Sequence, residues 1–312
     1  MAVVARVAMG AALAAAFVLV LPAAALGPAR PASQPPTVPT QEYCSAHYGQ
    51  PIGEVFTWRG LSLQEYLGDA ACESHRQGTY LGSNVTIDAA GDLVMSARRH
   101  CTTDPVTEST PTYEGPCPTT QPQYSVGRVR LAQFVVPETD FEWGFEARLP
   151  VDHAPGARSA LWLINLDQID CDALWGELDV VEWYSSRPEV PESATHLTCR
   201  GSTHASWHHK PSTWDWGEVG SNGFHRWAVR KQVEGDKTVI SYLYDDRVHA
   251  TDTCEDRLSP GDCAAVLDRA WTAILQTAVF ADDDGPFTRP ADDGSFPTQE
   301  LVIRSMWMRP LG

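Results

Sequence analysis

The amino-acid sequence predicts an all-β fold, a sandwich or barrel of antiparallel strands built as one domain. Three observations support this prediction. Apolar and polar residues alternate with a period of two in several segments, clusters of turn-forming residues separate these segments, and helix signals are scarce. A chain of 312 residues, 43% of them hydrophobic, is also large and apolar enough to bury a substantial core.

The amino terminus predicts export from the cell. Arg6 precedes the apolar run VAMGAALAAAFVLVLPAAAL, and small residues at positions 23–25 provide a signal-peptidase site. We therefore predict a signal peptide over residues 1–25 and a secreted, extracellular protein. A retained membrane anchor is the alternative, since the run is just long enough to span a bilayer. The Pro-rich residues 26–40 then form an extended linker, and residues 41–312 form the single folded domain.

Charge restricts the possible partners. Asp and Glu total 40 against 23 Lys and Arg, which gives a formal net charge of −17. Such a chain repels a phosphate backbone, so bulk charge excludes nucleic acid as a partner. No later segment has the length of a membrane helix, so we expect no membrane contact after signal cleavage, and we expect a monomer.

Eight cysteines follow the signal segment, an even number that predicts up to four disulfides in a secreted chain. They are Cys44, Cys72, Cys101, Cys117, Cys171, Cys199, Cys254 and Cys263. We expect neighbours to pair, because Cys101 and Cys117, and Cys254 and Cys263, enclose short turn-rich segments. Zinc is the competing interpretation, but the chain has no Cys-x-x-Cys pair.

Two further segments contain side chains that bind metals in other proteins. His204 and His208 lie in a polar, non-helical stretch where their spacing does not bring them together. The DDDG segment at residues 282–285 is typical of a turn. We therefore expect no metal and no cofactor.

The strand pattern is clearest in FEWGFEARL, where Phe141, Trp143 and Phe145 fall on one face and charged residues fall on the other. GRVRLAQFVV, TVISYLYDD and ELVIRSMWM are further candidate strands. SALWLINL and TAILQTAVF are more continuously apolar, as expected for central strands. One short helix is predicted at CAAVLDRAW, with Asp262 as its N-cap.

The segment WGELDVVEWY, residues 175–184, carries the candidate chemistry. Glu177, Asp179 and Glu182 interrupt an apolar, β-branched and aromatic strand, where acids are disfavoured. Glu177 and Asp179 share a face, and a β-bulge at Val180 and Val181 would bring Glu182 to the same face. The two glutamates then lie roughly 13 Å apart along the backbone. Side chains that lean together reach the ~5–5.5 Å of a retaining glycosidase pair.

Such a pair suits glycoside hydrolysis, in which one carboxylate attacks the anomeric carbon and the other carboxyl group protonates the leaving sugar. Asp179 between them raises the cost of a second negative charge and so helps to keep one carboxyl group protonated. The alternative is a solvated strand face in an acidic chain, with Glu182 directed to water. Spacing alone leaves both interpretations open.

Aromatic residues favour the catalytic interpretation, because sugar rings stack their C–H faces on aromatic side chains. The chain has 11 Trp. The candidate substrate-binding rings are Trp162, Trp175, Trp183, Trp207 and Trp214. Trp143 is assigned to the core because it lies on the apolar face of its strand.

WGELDVVEW resembles the catalytic signature of glycoside hydrolase family 16 in its bulged form. The resemblance extends to DLVMSARR, YSVGRVRLAQFVVPETDFEWGFEARLPV, GARSALWLINLD, GFHRWAVRKQ and YLYDDRVHA, and it covers roughly residues 84–309. It implies a concanavalin-A-like jelly roll of two antiparallel sheets, and retaining endo-hydrolysis of a β-linked polysaccharide in a cleft across one sheet. It also implies that Glu177 is the nucleophile, Asp179 the helper and Glu182 the acid/base.

The resemblance also indicates a substrate class. The bulged form is commonest among enzymes similar to β-1,3-glucanases, so β-1,3-glucan, or mixed β-1,3/1,4-glucan, is the expected substrate. Agarases and carrageenases share the form, which leaves galactan, agar and carrageenan as alternatives. A non-catalytic, lectin-like protein on the same fold and a wall-associated structural protein are the alternatives that are not enzymes.

The sequence departs from the family pattern at three places. Gln276 occupies a cleft-facing position where the family often has Asn. The strand after the catalytic one often carries a cleft histidine, and His196, Arg200 or His204 could occupy that position here. The last strand lacks the Asp that binds a structural calcium in many members, so the resemblance gives no support for calcium.

Overall fold

The computed structural model describes residues 53–69, 76–117, 122–135, 140–152, 154–165, 176–188, 190–197, 205–209, 223–280 and 294–311, with only the backbone for 205–209. All of them belong to one compact unit, Pro36–Gly312. The predicted signal peptide and linker lie outside the described residues. None of the helices among the described residues is long and apolar enough to cross a membrane.

The described residues form nineteen strands. In chain order these are β1 (Val55–Trp58), β2 (Leu61–Glu65), β3 (Gly68–Asp69), β4 (Arg76–Gln77), β5 (Thr79–Tyr80), β6 (Val85–Ile87), β7 (Leu93–His100), β8 (Gln123–Val126), β9 (Arg128–Leu131), β10 (Phe141–Arg148), β11 (Ala157–Ile164), β12 (Gly176–Tyr184), β13 (Glu192–Leu197), β14 (Ala205–His209), β15 (His225–Glu234), β16 (Lys237–Tyr244), β17 (Arg247–Thr253), β18 (Thr272–Phe280) and β19 (Gln299–Pro310). One α-helix, α1 (Pro260–Leu267), and short 3₁₀ turns at Gly82–Asn84 and Cys254–Asp256 complete this part of the chain.

The strands form two sheets. The first sheet has nine strands in the order β1-β2-β9-β18-β11-β12-β13-β14, with β4 paired to β18. The second has ten in the order β17-β16-β15-β10-β19-β7-β8-β5-β3, with β6 paired to β7. The pairs are antiparallel except for the short parallel pair of β5 and β8. The predicted all-β sandwich of two sheets is thus confirmed.

The apolar core lies between the two sheets, and period-two alternation explains how each strand contributes to it. On β10, Trp143, Phe145 and Ala147 are at most 1% exposed and belong to the core. On β11, Leu161 and Leu163 point into the same core. Burial of large side chains at this density is the main favourable contribution to folding, at roughly 25 cal/mol per Å² of apolar surface.

The predicted strands are found at the expected places. GRVRLAQFVV contains β9, TVISYLYDD contains most of β16, and ELVIRSMWM lies within β19. The continuously apolar segments SALWLINL and TAILQTAVF correspond to β11 and β18, which are neighbours inside the first sheet. Their burial on both faces explains why their sequence does not alternate.

The predicted helix exists, but its N-cap was assigned wrongly. Ser259, not Asp262, is the N-cap of α1, and its side chain accepts a hydrogen bond from the backbone N–H of Asp262. The Ser259 hydroxyl also donates to the Asp262 carboxylate at 2.9 Å. Pro260 follows the cap at the first helical position, where its missing N–H costs nothing.

Two of the predicted disulfides lie within the described residues, and both join sequence neighbours. Cys101 bonds to Cys117, and Cys254 bonds to Cys263. The second disulfide ties the start of α1 to the 3₁₀ turn after β17. The remaining four cysteines lie outside the described residues.

Candidate active site

The predicted β-bulge lies on β12. Val180 and Val181 are consecutive, yet both are fully buried in the core between the sheets. Asp179 pairs with Trp162 and Val181 with Leu161, so Val180 has no opposite residue on β11. The extra residue changes the alternation and places Glu182 on the same face as Glu177 and Asp179. We call this face of the first sheet, directed away from the core, the site face.

A buried serine stabilises the bulge. Ser193, on the neighbouring β13, is 1% exposed and donates a hydrogen bond of 2.9 Å to the carbonyl of Val180. Its Oγ also lies 3.2 Å from Nε2 of His249, which comes from β17 of the second sheet. Because the single hydroxyl proton goes to the carbonyl, Nε2 of His249 carries a hydrogen and donates to Ser193.

Glu177, Asp179 and His196 form a compact cluster on the site face. Glu177 pairs with His196 across β12 and β13, and Nε2 of His196 lies 3.2 Å from Oδ2 of Asp179. One ligand atom from each of the three residues lies within 4.8 Å of the others, so this cluster could also hold a metal ion. Asp179 is 1% exposed; its Oδ2 contacts His196, and its Oδ1 has no hydrogen-bond partner within the described residues.

Burial and mutual charge control protonation in this cluster. Burial, and then the neighbouring Asp179 carboxylate, raise the pKa of Glu177 from 4.5 to about 8. For His196, burial opposes protonation, but the hydrogen bond to Asp179 and the charges of Asp179 and Glu177 outweigh it and raise the pKa. The raised pKa therefore keeps the Glu177 carboxyl group protonated near neutral pH.

Glu182 lies in a different environment from Glu177. It is 5% exposed, and its Oε1 accepts hydrogen bonds from the Arg158 guanidinium and, at 3.1 Å, from the Tyr184 hydroxyl. Arg158 pairs with Tyr184 across β11 and β12, and its Cζ lies 5.7 Å from the centre of the Tyr184 ring. Burial raises the pKa of Tyr184, so its hydroxyl remains a donor. Glu182 thus differs from Glu177 in having a fixed positive charge against it, although the buried Glu192, which is paired with Arg187, lies opposite it on β13.

Trp162, one of the candidate stacking rings, lies on the site face and is 5% exposed. It belongs to a small apolar cluster, separate from the main core, with Ala160, Ile164 and Ile274. The guanidinium of Arg128 lies 5.4 Å from the Trp162 ring centre.

Arg128 is itself held among aromatic residues. It lies 4.3 Å from the ring centre of Tyr66 and donates to the hydroxyl of Tyr80 at 3.2 Å. The Arg128 guanidinium therefore contacts both tyrosines as well as the Trp162 ring.

Gln276 also lies where it was expected. It pairs with Ala160 on one side and with Arg128 on the other, on the site face. It is 1% exposed, and neither atom of its side-chain amide has a hydrogen-bond partner within the described residues.

Trp183 corrects one prediction. It is fully buried and belongs to the core between the sheets, so it cannot stack on a sugar at the site face. The cause is the alternation itself, because the residue after Glu182 must point the opposite way.

Four other candidates have no described side chain. Trp175, Trp214 and His204 lie outside the described residues. Trp207 lies on β14, where its backbone pairs with Thr195.

Sequence reasoning did not identify two residues of this site, Arg158 and Ser193. A sequence signal existed for Arg158, because it alternates with Ala160 and Trp162 and must share their face. No such signal existed for Ser193, since its role depends on the bulge in the adjacent strand.

The fold is shared with solved structures of endo-glucanases. An endo-1,3-β-glucanase from Streptomyces sioyaensis superposes with a TM-score of 0.57 at 16% identity, over 79% of this chain and 88% of the other. A mixed-linkage glucan family 16 protein from Bacteroides ovatus gives 0.57 at 13% identity, over 82% and 97%. The laminarinase of Rhodothermus marinus gives 0.55 at 17% identity, over 83% and 95%.

The chain has the fold of family 16 endo-glucanases. The concanavalin-A-like jelly roll implied by the sequence resemblance is therefore confirmed. No protein-family model and no curated protein matches the sequence.

Proposed function

We propose that the chain is a secreted member of glycoside hydrolase family 16, a retaining endo-hydrolase of a β-linked polysaccharide with β-1,3-glucan as its first candidate substrate. The observation that carries this proposal is the bulged strand β12, which gathers Glu177, Asp179 and Glu182 on one face. The similarity of fold to an endo-1,3-β-glucanase and to a laminarinase supports the same reaction class. The disulfides support an oxidising, extracellular location.

The proposed reaction has two displacements. In the first, a carboxylate oxygen of Glu177 attacks the anomeric carbon while Glu182 gives its proton to the departing sugar oxygen, and the glycosidic bond breaks. In the second, Glu182 takes a proton from water, the water oxygen attacks the anomeric carbon, and Glu177 is released. Two inversions leave the β configuration unchanged.

Asp179 is assigned the role of proton holder for the nucleophile. Because its raised pKa leaves Glu177 protonated near neutral pH, Glu177 can attack only after its proton has moved to Asp179. A protonated Asp179 then donates a hydrogen bond to Glu177 and withdraws as the glycosyl bond forms. His196, in contact with Asp179 at 3.2 Å, fixes the orientation of that carboxyl group.

Mixed β-1,3/1,4-glucan is a second candidate substrate, favoured by the fold shared with the mixed-linkage glucan protein of Bacteroides ovatus. Trp162, on the site face between the carboxylate strand and Arg128, is the proposed stacking ring for either polymer.

The direct test is reducing-end release by the mature protein, beginning at residue 41. The panel contains laminarin, mixed-linkage glucan, agarose, carrageenan and β-galactan. Wild type, Glu177→Gln and the control variant Glu300→Gln, which changes an exposed glutamate on β19, are assayed together. We expect release from laminarin by wild type and by the control, and none by Glu177→Gln. Equal release by Glu177→Gln would exclude the proposed mechanism.

A further inference from the structure

The Glu182 carboxyl group accepts hydrogen bonds from described residues at one of its two oxygens. Within the described part of the chain, both hydrogen bonds to its carboxylate end on Oε1, one from Arg158 and one from Tyr184, and none ends on Oε2. Two donors on one oxygen fix the plane of the carboxyl group. They also leave the second oxygen as the place for a transferable proton.

Arg158 places a permanent positive charge on the site face. This is unusual because its side chain is only 7% exposed. A buried guanidinium is costly unless it is paired and hydrogen-bonded. Within the described residues its ionic partner is Glu182, and two of its nitrogens, Nε and Nη1, have no hydrogen-bond partner. Within the described residues, the Arg158 guanidinium thus donates to one carboxylate oxygen, Oε1 of Glu182, and does not join a larger hydrogen-bond network.

We propose that Arg158 and Tyr184 are positioning residues that hold Glu182 by Oε1, so that Oε2 delivers the proton to the leaving sugar and later receives one from water. This inference rests on the proposed hydrolase function. To that function it adds the oxygen that transfers the proton, Oε2 of Glu182, and the two residues that leave this oxygen available by binding the other one.

The charge of Arg158 has a second consequence. A guanidinium in contact with a carboxyl group favours its ionised form, so Glu182 gives up its proton at a lower pH than it would without Arg158. The upper pH limit of activity, where the general acid is lost, therefore depends on this contact and on Glu192, the acid opposite Glu182 on β13, which is paired with Arg187 and acts in the opposite direction. Tyr184 is neutral, and its hydrogen bond favours the ionised form of Glu182 less strongly than the guanidinium does.

The test separates proton transfer from every other part of the reaction. Polysaccharide cleavage needs Glu182 as both acid and base. An aryl β-laminaribioside with a dinitrophenyl leaving group needs no acid, and added azide replaces water as a nucleophile that needs no base. Arg158→Gln, Arg158→Lys and Tyr184→Phe are compared with Arg226→Gln, a control arginine on β15 of the second sheet that pairs with Asp246.

For Arg158→Gln we expect a loss of about 100-fold in kcat/KM on the polysaccharide, the lower range for a misplaced acid/base group. On the aryl substrate with azide, its rate should stay within about 3-fold of wild type, and its upper pH limit should move to higher pH. Arg158→Lys should restore the pH limit but only part of the rate. Tyr184→Phe should lose roughly 10-fold on the polysaccharide, and its upper pH limit should move up by less than that of Arg158→Gln.

Equal losses on the polysaccharide and on the azide-assisted aryl substrate would overturn the inference, since they would indicate general damage to the site. An unchanged pH limit in Arg158→Gln would overturn it as well. If wild type cleaved neither substrate, the proposed function itself would fail, which is a different result from an active wild type with unaffected variants.

Discussion

Replacing Glu177 with Gln should make the protein more stable, and more so as the pH rises. Burial and Asp179 raise the pKa of Glu177 to about 8, so the folded state keeps a proton that the unfolded chain releases near pH 4.5. Between these pH values the unfolded state binds fewer protons than the folded state, and stability falls as pH rises. Gln is uncharged in both states and removes this dependence.

The magnitude follows from the pKa. The change from 4.5 to about 8 corresponds to about 5 kcal/mol at about 1.36 kcal/mol per pH unit. The side chain is only half-buried, so we expect a gain of about 2–4 kcal/mol at pH 8. At pH 4, where Glu177 is protonated in both states, wild type and variant should be equally stable.

The assay is urea unfolding followed by tryptophan fluorescence at each pH from 4 to 9. The difference in free energy of unfolding between Glu177→Gln and wild type should rise through this range and level off above pH 8. Glu300→Gln, an exposed change on β19, should stay within about 0.5 kcal/mol of wild type at every pH. A difference that is independent of pH, or that shrinks as pH rises, would refute the reasoning.

Three further predictions concern the bulge, the surroundings of Trp162 and one disulfide. Ser193→Ala removes the donor to the bulge carbonyl and should cost about 1–3 kcal/mol in urea unfolding. It should also lower kcat more than 10-fold, whereas a bulge that needs no such donor would leave kcat intact. Arg128→Met removes the cation beside Trp162 and should raise KM roughly 3- to 10-fold with a smaller change in kcat, so an unaltered KM would contradict it. Replacing both Cys254 and Cys263 with Ser opens a short loop and should cost about 2–3 kcal/mol, measured by the same unfolding assay; equal stability would argue against that contribution.

The carboxylate strand could be predicted because its sequence carries two independent signals. Acids in an apolar strand need a reason to be there, and the spacing of Glu177 and Asp179 places them on one face. Val180 and Val181 in succession are typical of a bulge that sends both side chains into the core. The structure confirms this bulge.

The error at Trp183 has a simple physical cause. An aromatic ring beside the carboxylates predicts sugar stacking. The alternation that brings Glu182 to the site face, however, sends the next residue into the core. The N-cap of α1 is a similar case, because Ser259 followed by Pro260 and Asp262 is itself a capping pattern. Side-chain alternation decides where Trp183 points, and the capping pattern decides where α1 begins; the type of residue decides neither.

The contacts across strands could not be predicted. Ser193 reaches the carbonyl of Val180 only because β13 lies beside the bulge, and Arg158 reaches Glu182 only through the register of β11 against β12. A one-residue change in either register would remove these contacts, and the sequence alone does not determine the register.

The central claim is that Glu177 forms a covalent bond to the sugar. The most direct measurement is mass spectrometry of peptides from the protein incubated with 2-deoxy-2-fluoro-β-laminaribiosyl fluoride. The fluorine on the sugar slows breakdown of the intermediate, and the fluoride leaving group needs no acid. We predict one added glycosyl group, located on Glu177. A glycosyl group on Glu182, or hydrolysis of the polysaccharide with inversion at the anomeric carbon, would contradict the account.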